Sequence, residues 1–178
     1  MTAVTTKEQY HVKVVVCGDG GVGKTSLLNR YVSNTFLEVM KITIGAGFYS
    51  EVIETEDKVV TLQLWDFGGE KRFRFILPSY CKGAHGVILA FDINDFTTLM
   101  NLDEWLKIIR ENTKKPSIFL VGTKSDIGGI IDNKFIQEYL AKNKLKTFIP
   151  TSAKTGENVG RIFQELTQDI LATQTLDK

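Results

Sequence analysis

The stretch Gly18-Asp19-Gly20-Gly21-Val22-Gly23-Lys24-Thr25 constrains this chain more than any other feature, because the pattern G-x-x-x-x-G-K-[ST] has meaning only between a strand and a helix. Its neighbours supply that setting. Val12, Val14, Val15 and Val16 form a near-continuous branched run, which predicts a strand over His11 to Cys17 buried on both faces. A helix is predicted to start near Lys24 and to run to about Asn34. Between them, glycines permit backbone angles that turn successive N–H groups toward one point, and the helix N-terminus adds its dipole. Gly20, Gly21, Val22 and Gly23, with Lys24, Thr25 and Ser26 at the helix start, are therefore candidate phosphate-binding residues. Lys24 supplies a positive charge near the β and γ phosphates, and Thr25 can offer its hydroxyl to Mg²⁺. The plainer alternative, a Gly-rich turn capped by Thr25, accounts less well for four fixed positions falling in this strand-loop-helix setting.

The rest of the chain continues the alternation. Strands are expected at Gly47 to Thr55 and Lys58 to Asp66, joined through Glu56-Asp57 as an antiparallel hairpin, and again at Gly86 to Asp92, Ser117 to Gly122 and Lys146 to Pro150. Apolar residues at helical spacing fill the intervals: Leu99, Leu102, Leu106 and Ile109; Phe135, Ile136, Tyr139 and Leu140; Val159, Ile162, Phe163, Leu166 and Ile170. All three sets read as core faces. The pattern predicts an α/β fold: a six-stranded, mostly parallel sheet with one antiparallel edge strand and helices on both faces. A ligand belongs at the carboxyl ends of its strands. With 178 residues the chain fits one domain, 1–178, with short flexible ends at about 1–9 and 173–178.

Charge and apolar runs exclude several classes. Lys plus Arg number 22 against 21 Asp plus Glu, a balance of +1 that gives no global field for nucleic acid or an anionic membrane, although a local charged patch is still allowed. The run Val87 to Phe91 is far shorter than the roughly 20 residues needed to cross a bilayer. No secretory signal precedes Gln9, Thr2 excludes N-myristoylation, and Leu171 to Lys178 offers no cysteine for prenylation. The expected location is the cytoplasm, with peripheral membrane association only through partners or residues absent from this chain. Cys17 and Cys81 have neither disulfide-framework nor metal-ligand spacing and are expected to be reduced thiols.

Two later loops, Gly122-Thr123-Lys124-Ser125-Asp126 and Thr151-Ser152-Ala153-Lys154, fall at predicted strand carboxyl ends. A carboxylate accepts two hydrogen bonds side by side, so Asp126 matches the ring N–H and exocyclic amine of guanine, whereas adenine presents an acceptor where guanine has the ring donor. Lys124 can lay its aliphatic stem over the base, and the Ala153 N–H can serve the guanine O6.

Together these residues resemble the Ras superfamily of small GTPases from about Val12 to Leu171, and the Rab family within it. Trp65-Asp66-Phe67-Gly68-Gly69-Glu70-Lys71-Arg72-Phe73-Arg74 is similar to the Rab switch II sequence W-D-T-A-G-Q-E-R-F-R, and Gly83-Ala84-His85-Gly86 repeats a stretch typical of that family. Thr43-Ile44-Gly45 looks like switch I, and Ser152-Ala153-Lys154 like the last guanine-loop motif. The resemblance implies a P-loop NTPase fold and a molecular switch that binds GDP or GTP with Mg²⁺. It implies hydrolysis of GTP, slow without an activating protein, in the service of trafficking or cytoskeletal and signalling regulation. Thr25 and Thr43 would coordinate Mg²⁺, with Asp66 supporting it through water. Lys24, Thr43, Gly69 and Glu70 would form the reaction centre, Gly69 giving its N–H to the γ-phosphate. Phe36 would pack against the guanine, with Thr123, Lys124, Asp126, Ser152, Ala153 and Lys154 around it. The implied partners are an exchange factor, an activating protein and effectors at the switches, with no nucleic acid, for a monomeric protein.

Three departures from the Rab pattern stand out. Glu70 replaces the glutamine that orients the attacking water, so it keeps an acceptor, loses an amide donor and adds negative charge. Phe67-Gly68 replaces Thr-Ala, and Thr123 replaces the more common Asn. Other readings stay open: Phe36 as a core aromatic, Thr43 as an ordinary loop residue, and Lys71, Arg72 and Arg74 as a solvated helix-start face rather than a partner or transition-state site. Phe73, Phe75 and Ile76 are either core or an effector surface. The functional alternatives are a guanine-nucleotide-binding interaction module with negligible hydrolysis because of Glu70, and, less favoured, an ATP-using P-loop enzyme.

Overall fold

Alternating burial along the strands explains how this chain builds two cores on one sheet. In the computed structural model, which describes residues 7–38, 41–129, 131–174 and 176, the first strand, β1 (Glu8–Cys17), sends Val15 and Cys17 to one face and Val12, Val14 and Val16 to the other. All five are at most 1% exposed, as the branched run requires. After helix α1 (Lys24–Ser33), β2 (Ala46–Glu54) and β3 (Lys58–Phe67) form the expected hairpin, antiparallel from Ala46 opposite Phe67 to Glu54 opposite Val59. A 3₁₀ turn (Lys71–Ile76) and the short α2 (Leu77–Cys81) lead to β4 (Gly86–Asp92). Then come α3 (Phe96–Met100), α4 (Leu102–Asn112), β5 (Ser117–Thr123), a 3₁₀ turn (Ser125–Ile127), α5 (Asn133–Asn143), β6 (Thr147–Pro150) and α6 (Val159–Thr173).

Among the described residues the sheet order is β2-β3-β1-β4-β5-β6, six strands with only the β2 pairing antiparallel. This is the mostly parallel, doubly covered α/β fold that strand-helix alternation demands. Val87, Leu89 and Phe91 of β4 join Leu77, Leu99, Trp105, Leu106 and Ile136 on one side, while Ile88 joins Leu27, Leu28, Ile162, Phe163 and Ile170 on the other. Fully burying such a side chain stabilises by roughly 1.5–3 kcal/mol, so helices on both faces are strongly favoured.

Four sequence expectations change. Leu99 and Leu102 lie in separate helices, α3 and α4, with Asn101 between them; both helices still bury the expected residues because the 3–4 spacing carries across the junction. Phe135 is 50% exposed and meets Phe96 edge-on, since Ile136, Tyr139 and Leu140 already complete the buried face of α5. β1 begins inside the stretch expected to be a loose end: Glu8 and Gln9 pair with Lys58 and Val59, and residues 1–6 lie outside the described ones. At the other end, the Gln174 side-chain amide donates to the His85 carbonyl across 2.7 Å and Leu176 packs on the core; residues 175, 177 and 178 of the expected tail lie outside the description. Cys17 and Cys81 are free and buried, and the hydrogen bond with Cys81, reinforced by burial, pushes the Cys17 thiol well up.

Candidate functional site

The carboxyl ends of β1, β3, β4, β5 and β6 gather nearly every candidate residue at one edge of the sheet. At the end of β1, Gly18 lies so close to β4 that a Cβ would sit 2.0 Å from the Ala90 carbonyl oxygen, and its φ is +142°; only glycine fits. Gly21 and Gly23 also adopt positive φ, 78° and 99°. They turn the chain into α1, whose N-terminus has no side-chain cap and no acidic residue in its first turn. Such a helix end is a ready anion site. Lys24, buried, donates from Nζ to the carbonyls of Gly18 (2.8 Å) and Asp19 (2.7 Å). Burial lowers its pKa to about 8, against the opposing pull of Asp66.

Beside it three oxygen-bearing side chains converge. The hydroxyls of Thr25 and Thr43 lie 2.7 Å apart, and Thr25 Oγ1 donates to Asp66 Oδ2. Asp66 is 1% exposed, and its other oxygen, Oδ1, is buried without a hydrogen-bond partner among the described residues. Burial pushes the Asp66 carboxyl up, only partly offset by the Thr25 hydrogen bond, Lys24 and Thr43. Two hydroxyls and one desolvated carboxylate with an unused oxygen are hard donors suited to Mg²⁺, a cation held through one or two carboxylates with phosphate oxygens completing its shell. Thr43 thus joins the cluster through its hydroxyl.

Switch II rests directly on this cluster. The Gly68 N–H donates to the Gly45 carbonyl across 2.8 Å, and a Cβ on Gly68 would lie 2.7 Å from the Thr43 carbonyl oxygen. A Cβ on Gly69 would lie 2.2 Å from Asp19 C and Gly20 N, so the backbones of switch II and the phosphate loop touch. Phe67 is fully buried against Tyr80 and Trp105, and Gly68 is the small residue that close approach requires. Glu70 is paired with the Arg72 guanidinium. Arg74 departs from the solvated reading: its side chain is 13% exposed, pairs with Asp19 and Glu104, and lies 4.7 Å from the Trp105 ring centre.

The base-binding candidates line one cavity of about 470 Å³, with Phe36, Lys124, Asp126, Ala153 and Lys154 in its wall alongside Gly21, Val22, Gly23 and Ser26. Phe36 is thus a wall residue, not a core aromatic. Asp126 Oδ1 accepts from Ser152 Oγ across 2.6 Å, which fixes the carboxylate. Lys124 is held at φ 60° with its ammonium 2.8 Å from Asp92 Oδ2, leaving its stem along the cavity, and the Asn94 amide donates to its carbonyl. Thr123 is buried with Oγ1 2.5 Å from the Val22 carbonyl and 2.9 Å from that of Phe91. Lys154 is more exposed, 3.9 Å from Glu38.

Sequence reasoning missed the supports. Arg30 of α1 donates to the carbonyls of Ala153 (2.6 Å) and Lys154 (2.8 Å), clamping the last loop, and nothing in its spacing announces this. Asp19 occupies a variable position of the phosphate-loop pattern, yet accepts from Arg74, Asn101 and Trp105. Its place inside the motif was the available signal.

A phosphate loop, a hard-oxygen cluster and two loops that wall one cavity at the carboxyl edge of this sheet define a P-loop nucleotide-binding protein. Comparison with known proteins matches residues 13–172 to the Ras family. The chain is 35% identical to Ras-related protein RABG3b of Arabidopsis thaliana, over 96% of this chain and 89% of that protein. It is 38% identical to Ras-related protein Rab-11C of Dictyostelium discoideum, over 91% and 73%. With Ras-related protein Rab7 of Pisum sativum it shares 36% identity, over 90% and 82%. The chain belongs to the Ras family: it is a Rab-like GTPase, a guanine-nucleotide-binding switch that meets regulators and effectors. Among the described residues no helix is long and apolar enough to cross a membrane.

Proposed function

We propose that this chain is a monomeric switch that binds GDP or GTP with Mg²⁺ and hydrolyses GTP slowly by itself, using Lys24, Thr43, Gly69 and Glu70. The observation that carries this reading is the meeting of Thr25, Thr43 and Asp66 beside Lys24, which joins residues from the phosphate loop, switch I and β3. Mg²⁺, held there by Thr25 and Thr43 with Asp66 in support, would supply positive charge to the β and γ phosphates. Lys24 and the loop amides bind those phosphates, and the Gly69 N–H meets the γ-phosphate. Glu70 accepts a hydrogen bond from the attacking water while Arg72 offsets part of its negative charge. Asp126 selects guanine, with Ser152 fixing its orientation.

The same contacts describe the switch. Thr43 and Gly69 belong to loops that touch through Gly68 and Gly45, so losing the γ-phosphate removes a hold on both at once. Effectors would read the neighbouring apolar surface. There Phe48 (56% exposed) stacks edge-on to Trp65, Trp65 to Tyr80, and Ile44 and Phe75 stand 76% and 78% exposed. By this reading the protein regulates trafficking or signalling through an exchange factor, an activating protein and effectors.

Glu70 also favours a second reading, a guanine-nucleotide-binding module with negligible hydrolysis, because a carboxylate beside the γ-phosphate adds like charge. One experiment separates the readings: identify the nucleotide carried by the purified protein, then follow phosphate release over many turnovers with GTP or ATP and Mg²⁺. Bound guanine nucleotide with GTP-specific release supports the switch enzyme. Bound nucleotide without release selects the module, and release from ATP alone overturns both.

A further inference from the structure

The opposite end of the sheet carries two adjoining hollows that nucleotide binding does not use. One, of about 630 Å³, opens at the starts of β5 and β6 and is lined by Arg110, Lys115, Lys144 and Lys146. The other, of about 590 Å³, is lined by Lys82, Lys114 and the same Lys115, and the two also share Thr173. Against these six cations the linings hold, among the described residues, one carboxylate, Asp169. None of the ten ion pairs among the described residues includes any of the six, although lysines and arginines elsewhere on the surface are commonly paired. Among the described residues the Arg110 side chain donates to the Asn143 carbonyl, and the Lys82 carbonyl accepts from Lys13 Nζ across 2.9 Å.

A net charge of +1 therefore hides a local excess: these two linings carry six cations against one carboxylate, with Asp103 and Glu111 lining a separate hollow that Arg110 also borders. The local patch that the overall balance left open is this face. The larger hollow is also lined by Ser117 and Thr147, whose hydroxyls can donate to phosphate oxygens, while that of Thr113 is spent on the Ile109 carbonyl.

We propose that this face docks onto the phosphate-bearing headgroups of an anionic lipid bilayer. Phe119, the aromatic residue of the larger lining, is only 5% exposed, and among the described residues none of the exposed large apolar side chains lines either hollow. That removes the aromatic platforms on which single-stranded nucleic acid stacks and the apolar anchors that dominate protein interfaces. Concave, cationic and hydroxyl-lined sites match headgroups instead, and attachment stays at headgroup depth without insertion. The nucleotide cavity lies at the other end of β5, seven residues or roughly 20 Å away, so exchange and effector binding stay open while the face is docked. This attachment comes from the folded domain itself.

Vesicle co-sedimentation of the full GDP-loaded chain tests this. Binding is expected to vesicles of phosphatidylcholine mixed with phosphatidylserine, and more tightly with phosphatidylinositol bisphosphate. Pure phosphatidylcholine should give none, and affinity should fall as salt rises, because surface charge is screened. Lys115→Ala and Lys146→Ala should each lower affinity about fivefold, whereas Lys134→Ala, in an exposed pair with Glu138, should stay within about twofold of wild type. GTP hydrolysis in solution should be unchanged in all three, which shows that they fold. No binding to anionic vesicles at low salt, or wild-type binding by both Lys115→Ala and Lys146→Ala, overturns the proposal. So does binding of soluble inositol polyphosphate without vesicle binding, or tighter binding to single-stranded RNA than to vesicles.

Discussion

Arg74 Nη2 donates to Asp19 Oδ1 across 3.1 Å and ties switch II to the phosphate loop. The same carboxylate accepts from Trp105 Nε1 at 2.9 Å and Asn101 Nδ2 at 2.6 Å, so it satisfies donors from three segments. Truncating Asp19 strands all three donors, whereas truncating Arg74 leaves the carboxylate two. Asp19→Ala should therefore destabilise the protein by about 2–4 kcal/mol and Arg74→Ala by about 1–3. Urea unfolding of both variants checks the order, and a larger loss for Arg74→Ala would contradict this account of the network.

That network marks where sequence reading stops. Val12 to Val16 betrayed a doubly buried strand because local branching and burial coincide, and Lys24, Thr25 and Asp126 stood in patterns whose spacing carries chemistry. Arg74 and Asp19 are 55 residues apart, and Arg30 and Ala153 are 123 apart; such pairings exist only once the strands are ordered. The Asn101 junction was likewise invisible, since Leu99 and Leu102 keep a helical interval across it. Phe36 was ambiguous for another reason: an aromatic residue looks the same in a core or a cavity wall until its neighbours are known.

Glu70 and Arg72 form an ion pair two residues apart, which tempers the repulsion that a carboxylate would exert on the γ-phosphate. If Glu70 accepts from the attacking water, Glu70→Ala should slow single-turnover GTP hydrolysis by about 10²-fold, with Glu70→Gln between it and wild type. Arg72→Ala should slow it only about two- to fivefold, because the pair is partly solvated. Faster hydrolysis by Glu70→Gln would instead assign repulsion as the dominant effect.

Asp66 Oδ1 is buried without a partner among the described residues, so a cation at this cluster offsets the desolvation of the carboxylate. Adding Mg²⁺ to the GDP-bound protein at about 100 times its dissociation constant should stabilise it by about 2.7 kcal/mol. Chelation should reverse the gain and speed GDP release. Asp66→Ala should lose most of this Mg²⁺ dependence in a thermal unfolding series, and an unchanged response would place the metal elsewhere.

The Asp92–Lys124 pair gives a pH dependence with a definite sign. Burial raises the Asp92 carboxyl, but the hydrogen bonds from Lys124 and Asn94 outweigh it and hold the pKa below the ordinary value. A depressed folded-state pKa contributes stability that is fully present above the unfolded value near about 3.9 and is lost as pH falls through the folded value. Asp92→Asn should therefore be less stable than wild type at pH values near neutrality, and the gap should close below about pH 4. Denaturant midpoints across that range, for both proteins, read the effect; a constant gap would show that the carboxylate charge is not its source.

Thr123 is the remaining departure, and its geometry makes it a loop coupler rather than a weakness. Its single hydroxyl proton can serve one acceptor at a time, and the nearer is the Val22 carbonyl at 2.5 Å, with Phe91 at 2.9 Å. That bond joins the carboxyl end of β5 to the phosphate loop, so the base and phosphate halves of the site share one buried contact. Thr123→Val keeps the volume and removes the donor, leaving a carbonyl unpaired at a cost of about 1–3 kcal/mol. If that cost falls on the nucleotide-bound state, GDP should dissociate about 5- to 150-fold faster, with the preference for GTP over ATP intact because Asp126 still reads the base. Thr123→Asn offers two amide donors, one for each carbonyl, and should restore slow release if the buried site admits the extra atom. Stopped-flow release of a fluorescent GDP analogue from wild type, Thr123→Val and Thr123→Asn decides it: slow release from Thr123→Val would mean that the two loops are held together without this hydroxyl.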